Sequence, residues 1–385
     1  MRVLIFNEHY YPHVTGGAEV SVQLLAESLL DKGIEVHICT TYTMESEEII
    51  NKVPVHRIKQ KNLYWSVERN SKSKPKKIIW HIIDIYNLAN KSNIEGVIKK
   101  VNPDIIHTNV IAGFSVIIWS IAKNRNIPIV HTLRDYYLLC SNSTMFSKGS
   151  ICRDKCAICN LITRVNKLST KNVDAVIGIS NFVLQQHLQE GLFKNAKIKS
   201  VINNSVNDPG KIDITTERKV IGYIGRIHES KGIELLIESF LAIDSKDFVL
   251  KIAGDGEKQY LNYLKGKYVS PKVVFLGRVN CFDFLKTVNT LVVPSIWNEP
   301  FGRVVVEAFM CGCYVLVSNR GGMPELINNN GDVFDIDAPS DLQMKLSKVI
   351  SGNMTNINRA IDKQIYSKAY IAKKYIETYN ALLRK

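Results

Sequence analysis

Short runs rich in valine and isoleucine recur along this chain at intervals that leave room for one helix between each pair, and this rhythm limits its fold more than any other feature. "RVLIFN", "EVHICTT", "DIIHTN", "IPIVHTL", "AVIGIS" and "KSVIN" form one series, and "KVIGYIG", "FVLKIAG", "VVFLG", "TLVVPS" and "CYVLVS" a second. Continuous β-branched runs of this kind are strands buried on both faces, and the amphipathic stretches between them supply the covering helices. The expectation is an α/β chain with doubly wound parallel sheets. The polar, Pro- and Gly-containing stretch "NSVNDPGKIDITTERK" at 204–219 separates the two series and reads as a linker. Two Rossmann-like domains follow, 1–205 and 206–365, which suits 385 residues at about 150 per domain.

Open sheets of this type bind ligands beyond the carboxyl ends of their strands, so the residues just after each run are the candidates, facing one interdomain cleft. After the first run comes "NEHYYPHVTGGAE", where Gly16 and Gly17 open a helix whose N–H groups and positive dipole end suit a phosphate. After "KVIGYIG" come Arg226 and then Lys231, two cations able to clamp a diphosphate. After "TLVVPS" comes "IWNEPFGRVVVE", with Glu299 on a loop and Glu307 one turn or so inside the next helix. Glu307 is placed to hold a diol such as a ribose, and Glu299 to meet the group at the far end of the diphosphate, near the backbone N–H groups of Phe301 and Gly302. The plain alternative makes Glu299 a helix cap and Glu307 a surface residue.

Charge and cysteines add two further expectations. The net charge is +14, and residues 1–205 hold 26 lysines and arginines against 16 acids. Within them, 52–77 carries nine basic residues, one acid (Glu68) and the aromatic pair Tyr64 and Trp65, and an apolar amphipathic run, "IIWHIIDIYNLA", follows. That pattern suits an anionic membrane surface, with a solvated basic loop as the alternative. No run of 18 apolar residues exists and the chain opens on a strand, so the expected location is cytoplasmic, peripheral on the inner face of the cytoplasmic membrane. Cys140, Cys152, Cys156 and Cys159 have a spacing that could close on a structural zinc, or be thiols only. No nucleic-acid recognition motif, G-x-G-x-x-G after a strand, or Walker P-loop is present, which disfavours nucleic-acid binders, dinucleotide dehydrogenases and P-loop nucleotidases.

Taken together, "EPFGRVVVEA", "GYIGRIHESKGIELLIESF", "IAGDGE", "FLGRV" and "NEHYYPHVTGGAE" resemble the retaining GT-B glycosyltransferases of family 4, over residues 1 to about 330. The tail "YIAKKYIETYNALL" resembles the family's last helix, which implies that 366–385 packs back on the N-terminal, acceptor-binding domain. The resemblance implies a nucleotide-diphosphate sugar donor, UDP before GDP on family frequency. Arg226 and Lys231 then take the diphosphate, Glu307 the ribose and Glu299 the sugar hydroxyls. Gly16, Gly17, Gly225, Gly254, Arg278, Pro300, Phe301 and Gly302 line the donor. It also implies same-face substitution without a metal, so no cofactor is expected for catalysis. Many relatives carry a histidine just before the aspartate that follows "PIVHT". Arg134 stands there in this chain, able to hydrogen-bond sugar or phosphate oxygens but not to act as a base. His9, His107 and His131, also at strand ends, are acceptor-side or structural candidates. The expected acceptor is a lipid-linked saccharide of surface polysaccharide synthesis. A soluble acceptor is the alternative, and a polyanion-binding module leaves the two-glutamate motif unexplained.

Overall fold

The computed structural model describes residues 1–14, 16–212, 218–245, 247–327, 331–352 and 362–384. The chain divides into two compact units, one of Met1–Met145, Arg153–Ser205 and Tyr366–Lys385, the other of Phe146–Cys152 and Val206–Ile365.

The first unit is built on strands β1 (Arg2–Phe6), β2 (Glu35–Tyr42), β3 (Ser46–Ile50), β4 (Val53–Lys59), β5 (Ile105–Thr108) and β6 (Ile129–Leu133). A two-stranded piece, β7 (Phe146–Ser147) with β8 (Ser150–Ile151), comes next in the chain, and β9 (Ala175–Gly178) and β10 (Ile198–Val201) complete the sheet. Helices α1 (Gly17–Asp31), α2 (Lys74–Ile85), α3 (Lys91–Val101), α4 (Ile117–Asn124), α5 (Ala157–Ser169) and α6 (Asn181–Gln189) lie between strands. The sheet order is β10-β9-β6-β5-β1-β2-β4-β3, parallel except where β3 pairs with β4. Without β3, the order reverses between β1 and β5, as in a doubly wound fold, and that reversal opens a crevice at the carboxyl ends.

The antiparallel edge is a departure from the all-parallel expectation, and local chemistry accounts for it. Asn51 and Lys52 take positive φ (49° and 68°), the two-residue turn that suits a tight hairpin. The edge strand "SEEII" is almost wholly exposed, and its acids blunt the open edge. The basic segment 52–77 is corrected in the same stroke. Its first part is β4, buried between β2 and β3, and only the later part, toward α2, is surface.

The second unit contains β11 (Val220–Ile224), β12 (Val249–Ala253), β13 (Val273–Gly277), β14 (Thr290–Val293), β15 (Tyr314–Ser318) and β16 (Gly331–Phe334), in the order β13-β12-β11-β14-β15-β16, all parallel. Helices α7 (Ile233–Leu241), α8 (Lys258–Lys267), α9 (Cys281–Leu285), α10 (Arg303–Met310) and α11 (Pro339–Ile350) cover it. Here the order reverses between β11 and β14, so the segments after those two strands flank the crevice.

The last helix, α12 (Lys368–Leu383), belongs to the first unit. Val22, Leu25, Ala26 and Leu29 of α1 follow helical spacing, and they share one buried core with Ile371, Ala372, Tyr375 and Tyr379 of α12.

Candidate active site

In the second unit, the residues after β11, β12 and β14 come together. Gly225 follows β11, and the Arg226 carbonyl accepts a hydrogen bond from Tyr223 Oη at 2.8 Å, while the Arg226 side chain is exposed. Gly254, after β12, sits at φ +130°, and a Cβ there would lie 1.8 Å from the Gly225 carbonyl oxygen, so the two turns touch backbone to backbone. Only glycine permits that approach. A 3-10 turn, Glu229–Lys231, precedes α7, and the N–H groups of Ile296 and Trp297 bond the Ser230 carbonyl at 2.9 and 3.2 Å, tying this turn to the loop after β14.

Lys231 and Glu299 are thereby placed against one another and form an ion pair. Lys231 Nζ also lies 4.9 Å from the centre of the Trp297 ring, and Ser295 Oγ donates to Glu299 Oε1 at 2.8 Å. The loop carrying Glu299 is fixed through its backbone, because the Gly322 N–H bonds the Glu299 carbonyl at 2.7 Å. Phe301 is buried beside Pro300, and Gly302 opens α10 at φ +95°, where a Cβ would meet Met323 Cγ at 2.8 Å. Glu307 follows in that helix and is 9% exposed. Arg303 Nε donates to its Oε1 at 2.7 Å, and the Cys281 thiol donates to its Oε2 at 3.3 Å. Burial and the Glu307 carboxylate push the Cys281 thiol well above the ordinary range, so it stays a donor. Arg278 stands apart, 85% exposed and 3.3 Å from Asp255.

The spacing argument missed Ser295, Trp297, Cys281 and Arg303. Only the last had a readable signal, the Arg303–Glu307 step of four along one helix face.

The first unit gathers a second set. Gly16 precedes α1, and its N–H donates to Glu19 Oε2 at 2.9 Å, so a carboxylate of the same chain already meets this helix start. Gly17 is the first residue of α1 and is exposed. Arg134, after β6, is 8% exposed, donates from Nε to Asn109 Oδ1 at 2.7 Å and bonds Asn204. His9, after β1, is buried, with Nε2 3.2 Å from Ser66 Oγ and its ring edge-on to Trp65. Burial lowers its pKa, partly offset by Glu19.

Of the histidines offered as acceptor-side or structural, two lie in the core. His107 is 0% exposed, with Nδ1 2.7 Å from Tyr379 Oη and Nε2 2.8 Å from Thr132 Oγ1. His131 is enclosed by Trp119 and Phe193, with Nδ1 2.9 Å from Thr108 Oγ1. Burial holds both rings neutral, His107 well below its ordinary range and His131 at about 3. They are core residues.

The four-cysteine zinc expectation gains no support from the described residues. Among the described residues, no three His, Cys, Asp or Glu side chains are grouped to hold a metal. Cys140 and Cys159 are buried and Cys156 is exposed.

Comparison with known proteins agrees with this geometry. The family model described as "Glycosyltransferase Family 4" matches residues 15–208, and "Glycosyl transferases group 1" matches 205–368. A Klebsiella pneumoniae protein, described as an uncharacterized 42.6 kDa protein in the cps region, is 33% identical over 382 residues, 98% of this chain and 100% of its own length. Among solved structures, sucrose-phosphate synthase from Thermosynechococcus elongatus superposes with a TM-score of 0.72 at 19% identity, over 99% of this chain and 98% of its own. Anabaena HepE in complex with UDP gives 0.69 at 19% identity, over 99% and 100%. With strand-end cations and carboxylates on a doubly wound sheet, and both family models matched along its length, this chain belongs to glycosyltransferase family 4 and is a GT-B glycosyltransferase.

Proposed function

We propose that the protein transfers a sugar from a nucleotide-diphosphate sugar, UDP before GDP, to a lipid-linked saccharide in surface polysaccharide synthesis, with retention and without a metal. The observation that carries the donor half is the crevice of the second unit, where exposed Arg226, Lys231 and the carboxylates of Glu299 and Glu307 follow the strands at the order reversal. A diphosphate entering there draws Lys231 away from Glu299 and leaves that carboxylate for the sugar hydroxyls. Arg226 and Lys231 then neutralise charge growing on the leaving diphosphate, the main catalytic contribution of such a site. The complex of HepE with UDP supports the choice of base.

The acceptor half rests on one face of the first unit. Ile78, Ile79 and Ile82 of α2 are exposed, the last 57%, next to exposed Lys76, while Trp80 and Asp84 fill the inner face. α5 packs beside α2 and adds exposed Ile158 and Leu161. Apolar side chains among lysines fit the boundary of an anionic bilayer. Among the described residues, no helix is long and apolar enough to cross a membrane, and the contact proposed here is a peripheral one. The cps-region relative supports a polysaccharide product, and the likeness to sucrose-phosphate synthase keeps a soluble acceptor as the second reading.

The test is turnover of UDP- and GDP-sugars by Arg226→Ala and Lys231→Ala proteins. A loss of about 100-fold with unchanged melting is expected. Native turnover in either variant removes the clamp from the mechanism.

A further inference from the structure

α2 and α5 pack side by side, and a small cavity opens in the seam between them, away from the residues assigned to the donor. Its volume is about 10 Å³, room for one water-sized group. Asp84 and Asn166, 1% and 2% exposed, close its inner end, and Ile85 and Ile162 wall it. The partly exposed His81 and Ser141 line it nearer the surface.

The polar groups at the inner end are not equally committed. Asp84 already accepts from the Gly113 N–H, at 3.0 and 3.1 Å to its two oxygens, and from Tyr137 Oη at 2.8 Å. Asn166 donates from Nδ2 to the Leu138 carbonyl at 3.0 Å, which fixes the way its amide faces. Its Oδ1 is buried without a partner among the described residues. A buried acceptor left open is costly, and one open acceptor calls for one donor. A hydroxyl brings one, and its oxygen can accept in turn from the Ser141 hydroxyl across the cavity. An ammonium brings three into a space for one group, and an ionised phosphate brings none.

The surroundings of the seam bear on where that hydroxyl comes from. Exposed Ile82 stands three residues before Ile85 in α2, and exposed Ile158 four before Ile162 in α5, so apolar side chains flank the cavity one turn away on both helices. Half-exposed Lys77 stands one turn before His81. We propose that the cavity takes the terminal hydroxyl of a polyol phosphodiester headgroup, as in phosphatidylglycerol, with the phosphate beside Lys77 and His81. This rests on the membrane face proposed above and makes that face selective for the headgroup, not for charge alone.

The experiment sediments the full-length protein with phosphatidylcholine vesicles carrying equal shares of either phosphatidylglycerol or phosphatidylmethanol, which has the same charge and no hydroxyl. Native protein should bind the first about three- to tenfold more tightly, the effect of one hydrogen bond. Asn166→Leu and Ser141→Val should bring that ratio close to one while affinity for phosphatidylmethanol vesicles stays native. Ser141→Val leaves the bond between Asn166 and Leu138 intact, and the comparison on the native chain needs no variant, so a poorly folded Asn166→Leu protein does not blur the result. Equal binding of native protein to both vesicles, the outcome if the cavity holds only water, overturns the headgroup site and leaves the membrane reading standing. No sedimentation with either overturns both. Loss of the difference in excess free glycerol phosphate assigns the cavity to a soluble ester and overturns the lipid as its source.

Discussion

Lys231 and Glu299 neutralise one another, whereas Glu307 is held by Arg303 and Cys281, and this difference sets what each carboxylate does when a nucleotide arrives. Glu307 is held in place by these contacts, and on the proposed placement it binds a group shared by ground state and transition state. Glu307→Gln should therefore weaken donor and bare nucleoside diphosphate together, by about 1–3 kcal/mol. On the proposed placement Glu299 meets the reacting sugar, so Glu299→Gln should lower turnover by about 100-fold without loss of affinity for the bare diphosphate. Calorimetry and steady-state kinetics on the same preparations check both, and the opposite pattern exchanges the two roles. Spacing made these residues legible, because a strand's end and the helix after it are readable from apolar runs and Gly302. It could not show that Cys281 lies under Glu307 or Trp297 beside Lys231, since those contacts join segments that are distant or irregular. The choice between acceptor-side and structural for His107 stayed open for a related reason. Its place at the end of β5 is plain in the sequence, but not that its ring turns toward α12, where Tyr379 waits for it.

Among the elements, α2 carries two different jobs on opposite faces. Its outer isoleucines and lysines are the proposed lipid contact. Replacing Lys76 and Lys77 by Gln should weaken sedimentation with anionic vesicles by about 1 kcal/mol per residue at low salt, and Ile82→Ser should weaken it further. Equal sedimentation of all three proteins favours the soluble acceptor. On the inner face, Asp84 accepts from the Gly113 N–H at 3.0 Å and from Tyr137 Oη at 2.8 Å, tying α2 to the segments after β5 and β6. Burial, with the nearby Glu8 charge, raises its carboxyl to about 7. The folded protein thus keeps a proton that the unfolded chain releases above about pH 4, so stability from this group is complete below pH 4 and is lost as pH rises through 7. Asp84→Asn removes that dependence. Its stability relative to native should improve by up to about 1.4 kcal/mol per unit between pH 4 and 7, measured by denaturant titration. Parallel curves would count against a buried neutral acid. The amphipathic pattern of α2 was readable in "IIWHIIDI". The hairpin of β3 and β4 was not, because the exposed "SEEII" has no apolar face to announce it and the basic run beyond drew the eye from Asn51-Lys52.

The doubly wound architecture of both units followed from the rhythm of apolar runs, which is why the molecule was more legible than its edges. The strand order was not, since periodicity identifies elements and leaves their neighbours open. Nor did periodicity show how α12 is used. Tyr375 and Tyr379 are fully enclosed, and their hydroxyls meet Thr132 at 3.1 Å and His107 at 2.7 Å. Tyr379→Phe leaves His107 Nδ1 without that partner and should cost about 1–3 kcal/mol, seen as a lower melting temperature. An unchanged melting curve would mean water replaces the hydroxyl. The arrangement also has a meaning in time. Ribosomes emit the strands of the first unit early, yet the side chains that close its core over α1 lie beyond the whole of the second. At about 5–20 residues per second, that is roughly 10–30 s during which Val22, Leu25 and Leu29 lack the part of their cover that α12 supplies. A nascent chain of this design depends on whatever shields that greasy helix in the cell until its own last turns arrive.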